Sequence, residues 1–179
     1  MQIGWENLNI WKLSMADLPY ILSAEDIAAM PGLEKTHFLN PNAVRLNKSL
    51  GDATGLSGFG IHLIDVAPGR DTTEHHVHHF EDECVYVLEG TGTAYIEDDA
   101  HPIGPGDFIG YRKGGASHSI TNTGAGPLRM LVVGERLPHD VGDYTRLGKR
   151  IHRHAGQDWE LVDHADITTL GGAVGKKDP

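Results

Sequence analysis

The sequence predicts an all-β protein built around a single barrel. From about Val44 onward, Gly, Pro, Asp and Asn recur at short intervals, with brief β-branched and aromatic runs between them. This rhythm is typical of short strands joined by tight turns. The chain has 23 Gly and 9 Pro among 179 residues, which is generous for a helical bundle but below the roughly 25–30% that marks low-complexity chains. We therefore expect a sandwich or barrel.

Seven segments between these turns are predicted to be strands. They are Gly60–Val66, Glu74–His79, Cys84–Leu88, Gly92–Glu97, Asp107–Tyr111, His118–Thr121 and Leu128–Gly134. The residues that separate them include Pro68-Gly69 and Pro105-Gly106, which suit tight reversals of the chain. No internal repeat of domain size is present, so the strands are assigned to one barrel rather than two.

A short helix is predicted at residues 21–32. Ser23 is a preferred N-cap residue, and Asp26 stands three positions later, at the spacing of a capping box. Leu22 and Ile27 occupy the positions of a hydrophobic staple, and the Pro-Gly pair at residues 31–32 ends the segment. This is the only helix predicted in the N-terminal region.

The chain is predicted to form one domain with an irregular arm at each end. Residues 1–45 form an N-terminal arm that carries the short helix, residues 46–136 form the barrel, and residues 137–179 form a C-terminal arm and tail. A basic stretch from Arg146 to Arg153 lies in the C-terminal arm, and the sequence leaves open whether it closes the site or coats the surface. The chain is long enough to bury a sizeable core.

Composition excludes several classes of protein. The chain has 15 Lys and Arg against 25 Asp and Glu, which argues against a duplex nucleic acid partner because phosphate neutralisation requires cations. Cys84 is the single cysteine, so no intrachain disulfide or Cys-based zinc ribbon can form. The longest apolar run, Met130–Val133, is far short of the ~18 residues of a membrane span. Because Met1–Leu13 lacks the features of a signal peptide, we expect a cytoplasmic protein with a small-molecule substrate and no membrane partner.

A histidine cluster is the most unusual feature of the sequence. Four of the twelve histidines fall within His75–His79. Because side chains alternate along a strand, His76 and His78 share one face. A turn after them can return Glu83 beside the two imidazoles, and His118 follows a further hairpin. Three imidazoles and one carboxylate suit a divalent metal such as Fe, Mn, Co, Ni or Zn, and an octahedral ion would keep two positions open for substrate or dioxygen.

The histidine cluster has two other interpretations. A run of this kind is also typical of a solvated strand edge that picks up metal adventitiously. In a helix, His75 and His79 would stand at i and i+4 as in zinc metalloproteases, but the Glu required after the first His is here His76. In a strand, His75 and His79 point away from the proposed ligands, so we expect them to pack or to face solvent.

Two segments resemble the characteristic motifs of the cupin superfamily, in particular small bacterial single-domain cupins of type 2. The first motif is Gly, five residues, His-x-His, three or four residues, Glu, six residues and Gly. Its matching residues, with one extra residue after the first, are Gly69, His76, His78, Glu83 and Gly90. The second motif is Gly, five residues, Pro-x-Gly, two residues, His, three residues and Asn. Its matching residues are Gly106, Gly115, His118 and Asn122, with one residue inserted and with Arg112 or Lys113 in place of the Pro.

This resemblance implies a double-stranded β-helix, the jelly-roll-like cupin barrel, with one divalent transition metal per chain. The ligands that it implies are His76, His78, Glu83 and His118. It also implies a homodimer, because cupin barrels often pair through sheet edges and exchanged arms, and an open edge is a liability that pairing covers.

Three functions remain open for such a site. The first is an isomerase acting on a small polar substrate of the sugar or sugar-phosphate type that chelates metal through oxygens. The second is an Fe(II)-dependent dioxygenase, and the third, of another class, is a non-catalytic metabolite-binding or sensing protein. Isomerisation also needs a general base, which the sequence does not assign. The candidates for substrate binding are His62, Arg70, Arg112 and Tyr111, since a guanidinium matches a carboxylate or phosphate.

Overall fold

The short helix forms where the sequence predicts it. The structure, a computed structural model, describes residues 17–170. Helix α1 is Ala24–Ala29, and the side chain of Ser23 accepts a hydrogen bond from the Asp26 amide while the Asp26 carboxylate accepts one from the Ser23 amide. This capping box satisfies free amides of the first turn. A second short helix, α2, is Leu50–Ala53, and none of the helices in the described part is long and apolar enough to cross a membrane.

The described part of the chain contains thirteen strands. They are β1 Leu33–His37, β2 Asn40–Ser49, β3 Phe59–Val66, β4 Val77–His78, β5 Glu83–Glu89, β6 Gly92–Ile96, β7 Asp99–Ile103, β8 Phe108–Tyr111, β9 His118–Thr121, β10 Leu128–Glu135, β11 His139–Tyr144, β12 Lys149–His154 and β13 Glu160–Asp163. A sheet of six strands has the order β1-β2-β3-β10-β5-β8. A sheet of four has the order β13-β12-β11-β4, and a sheet of three has the order β7-β6-β9.

The two smaller sheets are joined into one layer opposite the six-stranded sheet. The link is the segment before β4, in which Asp71 forms a bridge to Thr121 and His76 forms a bridge to His118. Two layers of antiparallel strands packed face to face are the architecture of a jelly-roll-like barrel. The all-β prediction is therefore confirmed.

The apolar core lies between the two layers. Its buried residues come from alternate positions of strands in both layers: Ile64, Val66, Val85, Val87, Ala94, Ile103, Tyr111, Ile120, Leu128 and Met130. Val132 is partly buried against this cluster and continues the inner face of β10. The core therefore fills one end of the barrel, and the inner face beyond it is free to line a site.

Two of the motif residues hold neighbouring chain segments together and lie outside the proposed ligand set. Asn122 is fully buried, and its amide donates hydrogen bonds to the carbonyl oxygens of Val66 (2.7 Å) and Gly126 (2.9 Å). Gly90 has a φ of +82°, and a Cβ there would lie 2.2 Å from the carbonyl oxygen of Pro127. Only glycine meets both conditions, the left-handed backbone and the close approach. These two motif positions thus have a structural explanation.

The terminal arms are more regular than the sequence predicts. Strands β1 and β2 extend the six-stranded sheet beside β3, while β11, β12 and β13 form an antiparallel ladder that pairs with β4. Five of the six residues of β11 are buried although its sequence is HDVGDY. The polar side chains of β11 are bound by β12 and β4, a pairing that the hydrophobic pattern of the strand alone cannot reveal. Residues 1–16 and 171–179 of the predicted arms lie outside the described residues.

The predicted strand Glu74–His79 is shorter in the structure. Only Val77–His78 forms a strand, whereas His76 makes a single bridge with His118. This segment pairs with two different strands in turn, because its first half pairs with β9 and its second half pairs with β11. The segment therefore leaves one ladder and joins another. His76 and His78 consequently lie where the two smaller sheets meet.

Candidate metal centre and cavity

The four predicted metal ligands meet on the inner faces of the two layers. His76 and His78 flank Val77 at β4, His118 begins β9, and Glu83 begins β5 across the barrel. Reciprocal backbone hydrogen bonds of 3.0 and 2.7 Å join His76 and His118. The ring centroid of His76 consequently lies 4.7 Å from that of His118 and 4.9 Å from that of His78.

Each of the three histidines is oriented through its Nδ1 atom. Nδ1 of His76 lies 2.8 Å from the carbonyl oxygen of Glu74, and Nδ1 of His118 lies 3.3 Å from that of Ala116. Nδ1 of His78 lies 2.7 Å from Oδ2 of Asp140. These three partners are acceptors, so each Nδ1 carries the hydrogen and donates it. For His78, the 2.7 Å contact with Asp140 is closer than the 3.3 Å contact of the same nitrogen with Arg153 Nη2. In a neutral imidazole this leaves Nε2 with a lone pair, which is the tautomer that a metal ligand requires.

One ligand atom from each of His76, Glu83 and His118 lies within 4.8 Å of the other two, and His78 adjoins this group through His76. His76 Nε2 lies 3.2 Å from His78 Nε2, and His118 Nε2 lies 3.8 Å from Glu83 Oε1. His118 Nε2 is buried and has no hydrogen-bond partner in the described part of the chain. Two facing lone pairs and an orphaned buried nitrogen are unfavourable unless a cation lies between them. Ligands about 2.0–2.1 Å from a common ion stand roughly 3 Å apart, so this donor set fits a divalent transition metal.

Burial and mutual interaction shift the pKa values of this group. Burial lowers the pKa of His76 to about 3, with further contributions from His78 and His118. Burial alone would raise the pKa of Glu83, but interaction with His118, then with His76 and the third imidazole, lowers it to about 2. At neutral pH the cluster therefore presents a neutral His76 and an ionised carboxylate, the protonation states that bind metal.

A second acidic cluster lies directly behind His78. The ligand atoms of Glu81, Asp140 and His78 lie within 4.8 Å of one another. Both carboxylates, however, are ion-paired to Arg153. The Asp140 carboxylate also accepts a hydrogen bond of 3.2 Å from the Phe80 amide. Because the guanidinium already neutralises these carboxylates, the second cluster is suited to orient His78 rather than to bind an ion of its own.

A cavity of about 580 Å³ opens in front of the four ligand candidates. One row across its wall is Glu83 on β5, Gly134 on β10 and Gly60 on β3, which stand opposite one another in register. Gly134 lacks the side chain that would fill the space in front of the carboxylate, since a Cβ there would lie 3.7 Å from Glu83 Oε2. Both glycines thus leave room for a small ligand beside the four converging side chains.

Comparisons with known proteins agree with this architecture. A cupin-domain family model matches residues 62–134. The crystal structure of a protein from Acidithiobacillus ferrooxidans, provisionally a sugar phosphate isomerase, has 53% sequence identity and a TM-score of 0.83, covering 86% of this chain and 97% of that chain. The chain belongs to the cupin superfamily. A cupin from Silicibacter pomeroyi described as a sugar phosphate isomerase has 29% identity and a TM-score of 0.69, covering 78% of this chain and 89% of that chain. No curated protein matches significantly.

The structure separates the four substrate-binding candidates of this cupin into two pairs. His62 and Tyr111 line the cavity, and the Tyr111 ring stacks on His118 with centroids 3.6 Å apart. Arg70 and Arg112 are exposed and do not line the cavity. Arg70 follows the tight turn at Pro68-Gly69, and Arg112 follows the last residue of β8. At both places the chain leaves the inner face. The predicted homodimer and cytoplasmic location stay predictions.

Several side chains at the candidate site of this cupin lie outside the two motifs. Arg45, Asp140 and Arg153 line or support the cavity. Arg153 belongs to the basic stretch whose relation to the site the sequence leaves open, and the structure brings its side chain to the site. Arg45 is the last residue of the predicted N-terminal arm, but β2 carries it into the six-stranded sheet. No short motif marks these residues, because strand pairing over long sequence separations brings them to the cavity.

Proposed function

We propose that this cupin is a divalent-metal-dependent isomerase of a small polar substrate of the sugar or sugar-phosphate type. The observation that carries the proposal is the cluster of three histidines, each held through its Nδ1 atom, beside Glu83 at a cavity. A donor set of this kind, open on the cavity side, suits an ion that binds substrate oxygens. The cupin-domain match and the two similar structures described as sugar phosphate isomerases support the same function.

The residues that would hold the metal are His76, His78, Glu83 and His118. When bound, a divalent cation supplies Lewis acidity that polarises a carbonyl or hydroxyl oxygen. The Nδ1 hydrogen bonds fix the three imidazole rings before metal arrives, so little ordering cost accompanies binding. Stacking of Tyr111 on the His118 ring restrains that ring further.

Aromatic side chains shield one side of the cavity. The ring of Tyr144 lies 6.3 Å from the His76 ring, and it packs edge-on against His37 at 5.4 Å and Phe38 at 5.9 Å. Burial raises the pKa of Tyr144 to about 12, against a lowering contribution from Arg153. Its hydroxyl therefore keeps its proton at neutral pH and is available as a hydrogen-bond donor to a bound substrate.

Metal analysis of full-length, tag-free protein purified without chelator tests the proposal. We expect about one transition-metal ion per chain in the wild type and almost none in the His76→Ala, His118→Ala double variant. The His101→Ala variant is a matched control, because His101 lies exposed on β7. The metal-loaded wild type is then expected to interconvert aldose and ketose forms of a sugar or sugar phosphate without consuming oxygen.

Three outcomes would contradict this proposal. Full metal occupancy in the double variant would remove these histidines from the ligand set. Substrate-dependent oxygen uptake without isomerisation would assign a dioxygenase instead. Absence of metal from the wild type, with a metabolite still bound, would favour a non-catalytic binding protein.

A further inference from the structure

We propose that the end of the cavity formed by Lys35, Arg45, Arg136 and His62 binds a phosphate group. The inference rests on the proposed function in one respect: the rest of the same substrate molecule is taken to reach the metal ligands. All four side chains lie outside both cupin motifs, although the family-model match begins at residue 62. All four line the cavity.

Strand register brings two cations of this group together on one face. Lys35 on β1 stands directly opposite Arg45 on β2, and directly opposite residues project to the same side of a sheet. Ser49, two alternations farther along β2, stands opposite His62 on β3, so His62 shares that side. Like charges placed directly opposite destabilise a sheet. Such an arrangement is explained if an anion offsets the repulsion.

The described part of the chain offers little compensating negative charge. Within residues 17–170, Lys35 makes no ion pair, and Arg45 donates a hydrogen bond to the Thr72 carbonyl rather than to a carboxylate. Arg136 alone is ion-paired, with Asp52. The three cations outnumber Asp52 and Glu83, the two carboxylates that interact with them, and this leaves a positive charge in excess for a phosphate group. Burial and the neighbouring Arg45 lower the pKa of Lys35, and this lowering exceeds the opposite effect of Asp52.

His62 adds a neutral hydrogen-bond donor to these cations. Asn47 Nδ2 lies 3.3 Å from His62 Nδ1, and the amide N–H donates to that nitrogen, so the imidazole hydrogen is on Nε2. Above Gly60, an added Cβ would lie 3.0 Å from His62 Nε2 and 3.1 Å from Arg136 Nε. Both donors therefore border one space that the glycine keeps open. Burial, followed by Lys35 and Arg136, lowers the pKa of His62 to about 4, so the ring stays neutral at neutral pH.

The cationic end and the metal end are parts of one cavity. Arg45 belongs to the cationic end and also interacts with the metal end. Burial lowers the pKa of Arg45, and Glu83 at the metal end raises it. A volume of about 580 Å³ lies within the range of roughly 300–1,000 Å³ typical of small-molecule sites. A short phosphorylated sugar can thus place its phosphate beside Lys35 and its carbonyl and hydroxyl oxygens beside Glu83.

Titration of full-length protein with inorganic phosphate, followed by isothermal calorimetry and ³¹P NMR, tests the subsite. We expect Lys35→Gln and Arg136→Gln each to weaken phosphate binding about tenfold or more, since each substitution removes a charge-assisted hydrogen bond to the anion. Lys35→Arg is expected to retain most of the binding. Arg129→Gln is the matched control, because Arg129 pairs with Asp65 at the surface and does not line the cavity. Circular dichroism verifies that each variant is folded.

Two further experiments identify the anion and the residues that bind it. The His76→Ala, His118→Ala variant is expected to bind phosphate as the wild type does, because the subsite contains none of the metal ligands. Acetate, with a single charge, is expected to bind at least about tenfold more weakly than phosphate. Phosphate binding that is lost in the double histidine variant would place the anion on the metal, and equal affinity for acetate would replace the phosphate group by a carboxylate.

Unchanged phosphate affinity in Lys35→Gln and Arg136→Gln, or an equal loss in Arg129→Gln, would also overturn the subsite. The readout is independent of turnover and of metal. If phosphate binds through Lys35 and Arg136 but no sugar phosphate isomerises, the subsite stands and the proposed isomerase fails. If sugars isomerise but phosphate binds nowhere near these residues, the opposite conclusion follows.

Discussion

The same three residue types meet twice where β11 and β12 pass the end of β4, once on each face of the layer. The inner triad consists of His78, Asp140 and Arg153, and the outer triad consists of His79, Asp143 and Arg150. In both, the Asp stands directly opposite the Arg in the ladder between β11 and β12. The His–Asp contact is 2.7 Å in the inner triad and 2.8 Å in the outer one.

The two triads differ in what lies beyond the histidine. His78 uses Nδ1 to bind its Asp, and its Nε2 faces His76 in the cavity. His79 uses Nε2 to bind its Asp, and that carboxylate is further bound by His164. The inner triad therefore leaves a nitrogen free for a ligand, while the outer triad joins chain segments on the surface of the layer. The two triads consist of the same residue types, and they differ in their surroundings because the pleat places them on opposite faces.

The largest expected difference between the triads is in metal content. His78→Ala removes one of the four proposed ligands, so we expect the metal content to fall from about one ion per chain to a small fraction. His79→Ala should leave metal content unchanged, because this side chain points away from the cavity. Elemental analysis of both variants after parallel purification measures the effect. Equal metal loss in the two variants would show that the loss reflects damage to β4 and not removal of a ligand.

A smaller difference is expected from the two aspartates. Asp140→Asn weakens the acceptor that orients His78, and loss of such a support typically lowers metal affinity about 10–100-fold. Asp143→Asn should leave metal affinity within about twofold of the wild type while lowering the free energy of unfolding by about 2 kcal/mol, since it removes charged hydrogen-bond partners of Arg150. Competition with a chromogenic chelator gives the affinities, and urea unfolding gives the stabilities. A weaker metal site in Asp143→Asn would contradict the division between the triads.

The smallest effect is expected in the pH dependence of the outer triad. Burial alone would raise the pKa of Asp143, but hydrogen bonds from Arg150, His79 and His164 lower it well below its usual range. In the unfolded chain an Asp titrates near pH ~3.9, so the unfolded state takes up this proton first as pH falls. The stabilisation is therefore complete above about pH 4 and is lost below it. Urea unfolding from pH 6 to pH 3 should show the gap between wild type and Asp143→Asn narrowing below about pH 4, and a constant gap would refute this explanation.

Local patterns predicted the parts of this cupin that depend on short-range rules. The helix cap at Ser23 and Asp26 depends on residues three positions apart, and strand alternation put His76 and His78 on one face. The chain between Glu83 and Gly90 followed the motif spacing because one strand and one glycine turn fill it. Arg45, Asp140 and Arg153 could not be assigned in this way, since β2, β11 and β12 carry too few apolar residues to be recognised as strands.

The sequence by itself determined the all-β class, the short helix and the shared face of His76 and His78, because each depends on spacing within a strand or turn. The resemblance to cupins added Glu83 and His118 as predicted ligands. Only the tertiary structure decided which side chains support and face these predicted ligands. The pairing of β4 with β11 selected Asp140 for His78 and Asp143 for His79, and the pairing of β1 with β2 placed Lys35 opposite Arg45. These choices depend on register between distant segments, and a slip of one residue would turn every side chain to the other face.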